Sequence, residues 1–91
     1  MTSNSKIEIK KFNGKSFDLW KLKMEDLLVD IDQWITVDPG TAPTGTFADD
    51  WKKTDRKAKR TIRLCLSDSV LLNLSEEVTT KDLWEKLGKL Y

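Results

Sequence analysis

The sequence predicts a small all-α domain, and three observations lead to that prediction. Apolar residues recur at spacings of three and four along most of the 91-residue chain, which is the period of one helix face. Both prolines and two of the four glycines are confined to one loop, residues 36–46. Only one short segment alternates with the period of a strand, and one strand forms no sheet. We therefore expect a bundle of four to five helices with an extended N-terminal arm.

The arm, residues 1–15, is expected to be flexible or extended. It begins with a polar end and continues with an alternating segment at residues 6–10. Ile7, Ile9 and Phe12 are the apolar side chains that could pin the arm to the helices. The alternative is that the alternating segment pairs as a strand with a partner.

The first helix is the clearest element and runs from Phe17 to about Ile31. Its main apolar residues fall in an arc about 100° wide, which is the width of a core-facing stripe. They are Phe17, Trp20, Met24, Leu27, Leu28 and Ile31. A second apolar face carries Leu22 and Val29, with Leu19 nearby, among acidic residues. Either the arm or the last helix covers this second face, or it contacts another molecule.

A second long helix is expected after the loop. Thr46 can cap it, and Asp49 can complete a capping-box-like pair three residues later, while Ser16 is the corresponding cap of the first helix. Its core stripe carries Trp51, Ala58, Ile62, Cys65 and Leu66. The opposite face carries seven cations, Lys52, Lys53, Arg56, Lys57, Lys59, Arg60 and Arg63. Because the whole chain has a net charge of only +1, the total conceals this charge asymmetry.

Two shorter helices complete the expected bundle. Ser67 can cap the first, whose run from Val70 to Leu74 predicts the most buried segment, and Thr79 or Thr80 can cap the second. Since the last helix still continues at Tyr91, we expect that the chain was cut from a longer protein. The predicted core consists of Phe17, Trp20, Met24, Leu27, Trp51, Ile62, Leu66, Trp84 and Leu87, and the four tryptophans, which include Trp34, are expected to meet in it.

The composition argues against catalysis and against metal binding. Histidine is absent, which removes the commonest general base and the commonest metal ligand. The lone cysteine, Cys65, cannot form an intrachain disulfide or a zinc site, and we expect it to be a small core residue. No phosphate-binding glycine motif and no apolar run of about 18 residues occurs. We therefore expect no enzyme activity, no cofactor, no small-molecule substrate and no membrane contact.

The basic face of the second long helix admits three interpretations. A solvated surface is favoured, because no aromatic ring interrupts the cations and Trp51 is predicted to face the core, whereas readers of single-stranded RNA stack bases on such rings. The alternatives are the phosphates of RNA and an acidic patch on a neighbouring subunit. The candidate contacts are Lys52, Lys53, Arg56, Lys57, Arg60 and Arg63.

Three blocks of the sequence, in this order and spacing, resemble one protein family. The blocks are Phe12-Asn13-Gly14 with Leu19-Trp20-Lys21 and residues 24–28, then Trp51-Lys52-Lys53 with residues 58–68, then residues 83–87 with Leu90-Tyr91. Together they resemble the opening of the Gag polyproteins of copia-type LTR retrotransposons, and the resemblance covers about residues 6–91.

The resemblance implies the amino-terminal lobe of a capsid domain, formed here by residues 16–91. It implies a structural role in which copies associate through helix faces into a cytoplasmic virus-like particle. The particle packages the RNA of the element, mainly through regions absent from this chain. Leu19, Leu22 and Val29 are then the candidate assembly face. The alternative is a host-adopted lobe that binds extended peptides in a groove, with Ile7, Ile9 and Phe12 as candidate contacts.

Overall fold

The computed structural model describes residues 9–74 and 76–91. It contains four α-helices and one 3₁₀ turn: α1 (Phe17–Asp30), the 3₁₀ turn (Trp34–Thr36), α2 (Ala48–Leu64), α3 (Asp68–Leu71) and α4 (Thr80–Leu90). The prediction of a small all-α bundle is confirmed. Among the described helices, none has the length and apolar character needed to cross a membrane. The predicted division into an arm at residues 1–15 and a lobe at residues 16–91 stays a prediction.

The described part of the arm is fastened to the end of α2. The Phe12 N–H donates to the Cys65 carbonyl at 2.8 Å, and the Ser67 N–H donates to the Phe12 carbonyl at 2.9 Å. Carbonyls at the C-terminal end of a helix lack partners within the helix, so the arm supplies one. The buried Phe12 ring contacts three other rings, those of Phe17, Trp20 and Tyr91.

The core lies where α1, α2 and α4 meet below the arm. Of the predicted core residues, the buried ones are Trp20, Met24, Ile62, Leu66 and Leu87, and those partly buried against them are Phe17, Leu27 and Trp84. Trp20 stacks on Trp84 at a centroid distance of 6.0 Å, and Trp34 meets Trp84 edge-on at 5.4 Å. Aromatic contacts therefore connect α1, the 3₁₀ turn and α4.

Trp51 departs from the predicted core. It is only partly buried and lies outside the core cluster, so the four tryptophans do not all meet. Trp51 belongs to the first turns of α2, whereas the first buried residue of that helix is Ala58, about two turns later. The preceding segment, residues 41–50, is exposed throughout, and the start of α2 therefore extends beyond the core.

Leu72 and Ile31 are two other apolar positions that are more exposed than the sequence predicts. Val70 is buried, but Leu72 is 86% exposed, because α3 ends at Leu71 and the chain turns away there. The run from Val70 to Leu74 is thus not the most buried part of the chain, contrary to the prediction. Ile31 and Leu90, at the ends of α1 and α4, are also exposed. The ends of α1 and α4 thus extend beyond the core, as the start of α2 does.

The caps of the two shorter helices follow the sequence only in part. The Thr79 side chain accepts a hydrogen bond from the Asp82 N–H at 3.1 Å, which confirms Thr79 as the cap of α4. Ser67 occupies the N-cap position of α3, but its hydroxyl contacts the Ser69 hydroxyl at 3.0 Å and makes no capping hydrogen bond.

The predicted caps of the two long helices do not form. Ser16 precedes α1 but has a left-handed backbone, with φ 58°, whereas a capping side chain needs extended backbone geometry. The residue before α2 is Phe47, so Thr46 lies one position too early and makes no pair with Asp49. The loop accordingly spans residues 37–47, close to the predicted range.

Asp55 joins α2 to α4 by capping the latter from outside. Its carboxylate Oδ1 accepts a hydrogen bond from the Thr80 N–H at 3.1 Å, and its backbone carbonyl accepts one from the Thr80 hydroxyl at 2.7 Å. Thr80 is fully buried and begins α4. The first N–H groups of a helix lack internal partners and attract negative charge, so the Asp55 carboxylate stabilises this end.

We expect Asp55→Ala to lower the free energy of unfolding by about 1–2 kcal/mol, because it removes a cap and leaves a buried N–H unsatisfied. Urea unfolding followed by circular dichroism measures the change. Asp26→Ala is the matched control at an exposed position of α1 and should change stability by less than about 0.5 kcal/mol. Equal effects of the two substitutions would contradict the capping role.

Candidate functional site

The outer face of α1 carries three uncovered apolar side chains among acidic residues. Leu19, Leu22 and Val29 are 54%, 59% and 53% exposed. On the opposite side of the same helix, Met24 and Leu28 are fully buried, so the orientation of α1 is fixed by the core. Neither α4 nor the described part of the arm covers the outer face. We call these three side chains the α1 face.

A cavity opens at each end of the α1 face. Leu19 borders a cavity of about 190 Å³ beside the arm, whose other apolar lining residues are Ile9, Phe12 and Trp20. Val29 borders a cavity of about 320 Å³, whose other lining residues are Asp32, Trp34 and Ile35. The apolar surface therefore continues past both ends of the three exposed side chains.

The arm cavity is the place where the sequence predicts a peptide groove. Ile9 is partly buried against the core, and Phe12 is buried, so the Phe12 ring serves the fold as well as the cavity wall. Four lysines rim the cavity: Lys10, Lys11, Lys15 and Lys23. The predicted contact at Ile7 lies outside the described residues. The volume is below the range of about 300–1,000 Å³ that is typical of small-molecule sites.

The basic face of α2 is exposed to solvent, except at Lys59. The six candidate cations are all exposed, and they are Lys52, Lys53, Arg56, Lys57, Arg60 and Arg63. Lys59, the seventh, is tied down, because its Nζ donates to the Val78 carbonyl at 2.8 Å and to the Glu77 carbonyl at 3.4 Å. The structure thus separates one structural lysine from six cations that are open to a partner.

The first half of the basic face borders a cavity of about 320 Å³, which we call the Trp51 cavity. Its α2 wall carries Trp51, Lys52 and Arg56, and its other wall carries Val78 and Thr79 from the segment before α4. The two remaining lining residues, Asp55 and Lys59, are held by hydrogen bonds to backbone groups of the α4 region. An aromatic ring therefore does lie beside the cations, contrary to the prediction from the sequence.

Cys65 contributes its backbone to the hydrogen bonds at the end of α2, and its side chain is partly buried against the core. Its carbonyl accepts two hydrogen bonds, from the Phe12 N–H at 2.8 Å and from the Trp20 indole Nε1–H at 3.1 Å. Burial raises the pKa of the Cys65 thiol, and the charge of Lys11 offsets part of that effect. Within the described residues, no group of three or more potential ligands could hold a metal ion.

We expect the Cys65 thiol to react with iodoacetamide more slowly in the folded chain than in urea, because its raised pKa lowers the thiolate fraction. The folded state favours the protonated thiol. This contribution to stability is therefore present below the unfolded pKa and is lost as the pH rises through the folded pKa. Alkylation rates followed by mass spectrometry test the expectation, and a folded chain that reacts as fast as the unfolded chain would contradict it.

A comparison with known proteins now identifies the relationship. The chain is 37% identical over 91 residues, 98% of its length, to the retrovirus-related Pol polyprotein from transposon TNT 1-94 of Nicotiana tabacum. The chain is related to the copia-type retrotransposon polyproteins. It spans 7% of the length of that tobacco polyprotein. No protein-family model and no solved structure matches the chain.

The match confirms the resemblance to a copia-type Gag region that the three sequence blocks indicate. It supports a Gag-like role for the chain. Because the chain corresponds to such a small share of the polyprotein, activities of the remainder are not assigned to it.

Proposed function

We propose that the chain is a structural Gag capsid lobe that self-associates to build a retrotransposon virus-like particle. The observation that carries the proposal is the α1 face, on a helix whose other side is locked in the core. Single exposed apolar residues are ordinary, but a group of them on one helix face is typical of an association surface. The relationship to retrotransposon polyproteins supports particle assembly as the role of this association.

A contact through the α1 face would be weak in isolation. Covering the exposed half of each of its three side chains contributes about 1 kcal/mol apiece. Bringing two molecules together costs an estimated 4–15 kcal/mol of translational and rotational freedom, so one such contact does not hold a dimer alone. Heterologous contacts that close make rings, in which many weak contacts add. We therefore propose that the α1 face takes part in a closed ring of copies.

The same proposal includes RNA packaging in a cytoplasmic particle. The main RNA contacts then lie outside this chain, and the free cations of α2 add a sequence-independent attraction for phosphates. An acidic patch on a neighbouring copy is the other partner that this face could take. No enzyme activity and no small-molecule substrate form part of the proposal.

In the full-length Gag protein, we expect Leu22→Ser combined with Val29→Ser to abolish regular particles in electron micrographs. The lobe itself should unfold at nearly the wild-type temperature, because both side chains are exposed and contribute little to the core. Leu72→Ser is the matched control, since Leu72 is 86% exposed but lies outside the α1 face. Regular particles from a folded double variant would contradict the proposal.

The arm cavity favours a second candidate function, a Gag-derived lobe that binds peptides. Apolar walls from Ile9, Leu19 and Trp20 lie beneath the lysine rim. An extended peptide with alternate apolar and acidic side chains would match both, because extended segments present alternate residues to opposite sides.

We expect such a peptide to bind at low salt, and Lys15→Glu with Lys23→Glu to weaken the binding about tenfold through like-charge repulsion. Lys86→Glu with Lys89→Glu on α4, outside the residues that line the arm cavity, is the control of equal charge. Titration calorimetry gives the affinities. Equal losses in the two variants, or no saturable binding, would exclude the peptide-binding candidate.

A further inference from the structure

We propose that the Trp51 cavity binds single-stranded RNA, with one base stacked on the Trp51 ring and the adjoining phosphates held by Lys52 and Arg56. The inference rests on the proposed role in RNA packaging and assigns residues to it. It does not depend on the α1 face.

The Trp51 ring is not part of the core cluster, and a part of its surface remains accessible. The ring lines a cavity of about 320 Å³. That volume falls at the lower end of pockets that hold small ligands, about 300–1,000 Å³. Aromatic rings beside a positively charged groove are the usual stacking platforms for unpaired bases.

Phe47 is a second exposed ring at the start of α2, outside the residues that line the Trp51 cavity. It immediately precedes α2, four residues before Trp51, and it is 77% exposed. Stacking does not depend on base identity, and the site would therefore accept many sequences.

The charges around the cavity suit an anionic backbone. Lys52 and Arg56 lie one turn apart on α2, both are exposed, and neither side chain is used in a hydrogen bond of the described structure. The one carboxylate among the lining residues, that of Asp55, accepts a hydrogen bond from the Thr80 N–H, and the three lining cations outnumber it. The remaining cations of α2 continue the positive track to Arg63, about 16 Å further along the helix axis.

The ring and the cavity favour RNA over an acidic protein patch. An acidic patch would pair with the exposed cations alone and would have no use for Trp51. A nucleic acid strand uses both features, because it carries π-faces and phosphates in alternation. The base is therefore what distinguishes the two partners in a test.

The test compares a short labelled single-stranded RNA with an abasic strand of the same length and charge, by fluorescence anisotropy on the 91-residue chain. We expect the wild-type chain to bind RNA about tenfold more tightly than the abasic strand, which is the scale of one stacked base. Trp51→Leu should bring both strands to the same affinity, while Trp51→Phe should keep most of the preference. Unchanged unfolding of both variants shows that the fold is intact.

The cations are tested in the same assay. Lys52→Gln with Arg56→Gln should weaken both strands equally and reduce the salt slope by about 1.4, which corresponds to two phosphate contacts on a single strand. Lys21→Gln with Lys23→Gln on α1 is the control of equal charge. It should lower the affinity for either strand by less than the α2 double substitution does.

Three outcomes would overturn the inference. They are equal binding of RNA and abasic strand by the wild-type chain, no loss of RNA affinity in Trp51→Leu, and tighter binding to polyglutamate than to RNA. None of these outcomes would contradict particle formation through the α1 face. Full-length Gag with Trp51→Leu separates the two roles: because the α1 face is unchanged, we expect electron micrographs to show normal shells, with reduced RNA content.

Discussion

One carbonyl oxygen at the end of α2 joins the parts of this lobe. The Cys65 carbonyl accepts the Phe12 N–H of the arm and the Trp20 indole N–H of α1. The C-terminal end of a helix carries partial negative charge and carbonyls without partners inside the helix. Both hydrogen bonds therefore provide donors for a carbonyl that α2 leaves unpaired. The rings of the two donors then meet at 5.3 Å, and Trp20 stacks on Trp84 of α4. The arm, α1 and α4 are thereby oriented relative to α2.

Because this junction fixes the inner sides of the long helices, their outer sides are left without a role in the fold. Met24 and Ile62 are fully buried on the inner sides of α1 and α2. The outer side of α1 carries exposed apolar side chains among acidic ones, whereas that of α2 is basic, and the two sides present different chemistry to partners. An apolar face suits a second copy of the chain, whereas a basic face with a ring beside it suits a nucleic acid strand. The two proposed roles can therefore coexist on one small lobe.

The sequence predicts the helices well, because the period of apolar residues gives the direction in which each side chain points around the helix axis. It leaves open whether the second face of α1 is covered. It fails for Trp51, since the period does not say how far the core extends along that axis. It gives no sign of the Asp55 cap, because the carboxylate and Thr80 are separated by 25 residues and no local pattern connects them. The Trp51 cavity was missed for both reasons, as one wall comes from the start of α2 and the other from the segment before α4.

A concentration series of amide NMR spectra tests self-association through the α1 face most directly, since each amide reports on its own surroundings. Self-association predicts shifts that grow with concentration at Leu19, Leu22 and Val29, while the amide of Leu72 stays unchanged. Shifts confined to α3 and α4, or no shifts up to the highest concentration at which the chain stays in solution, would contradict the assignment of this face.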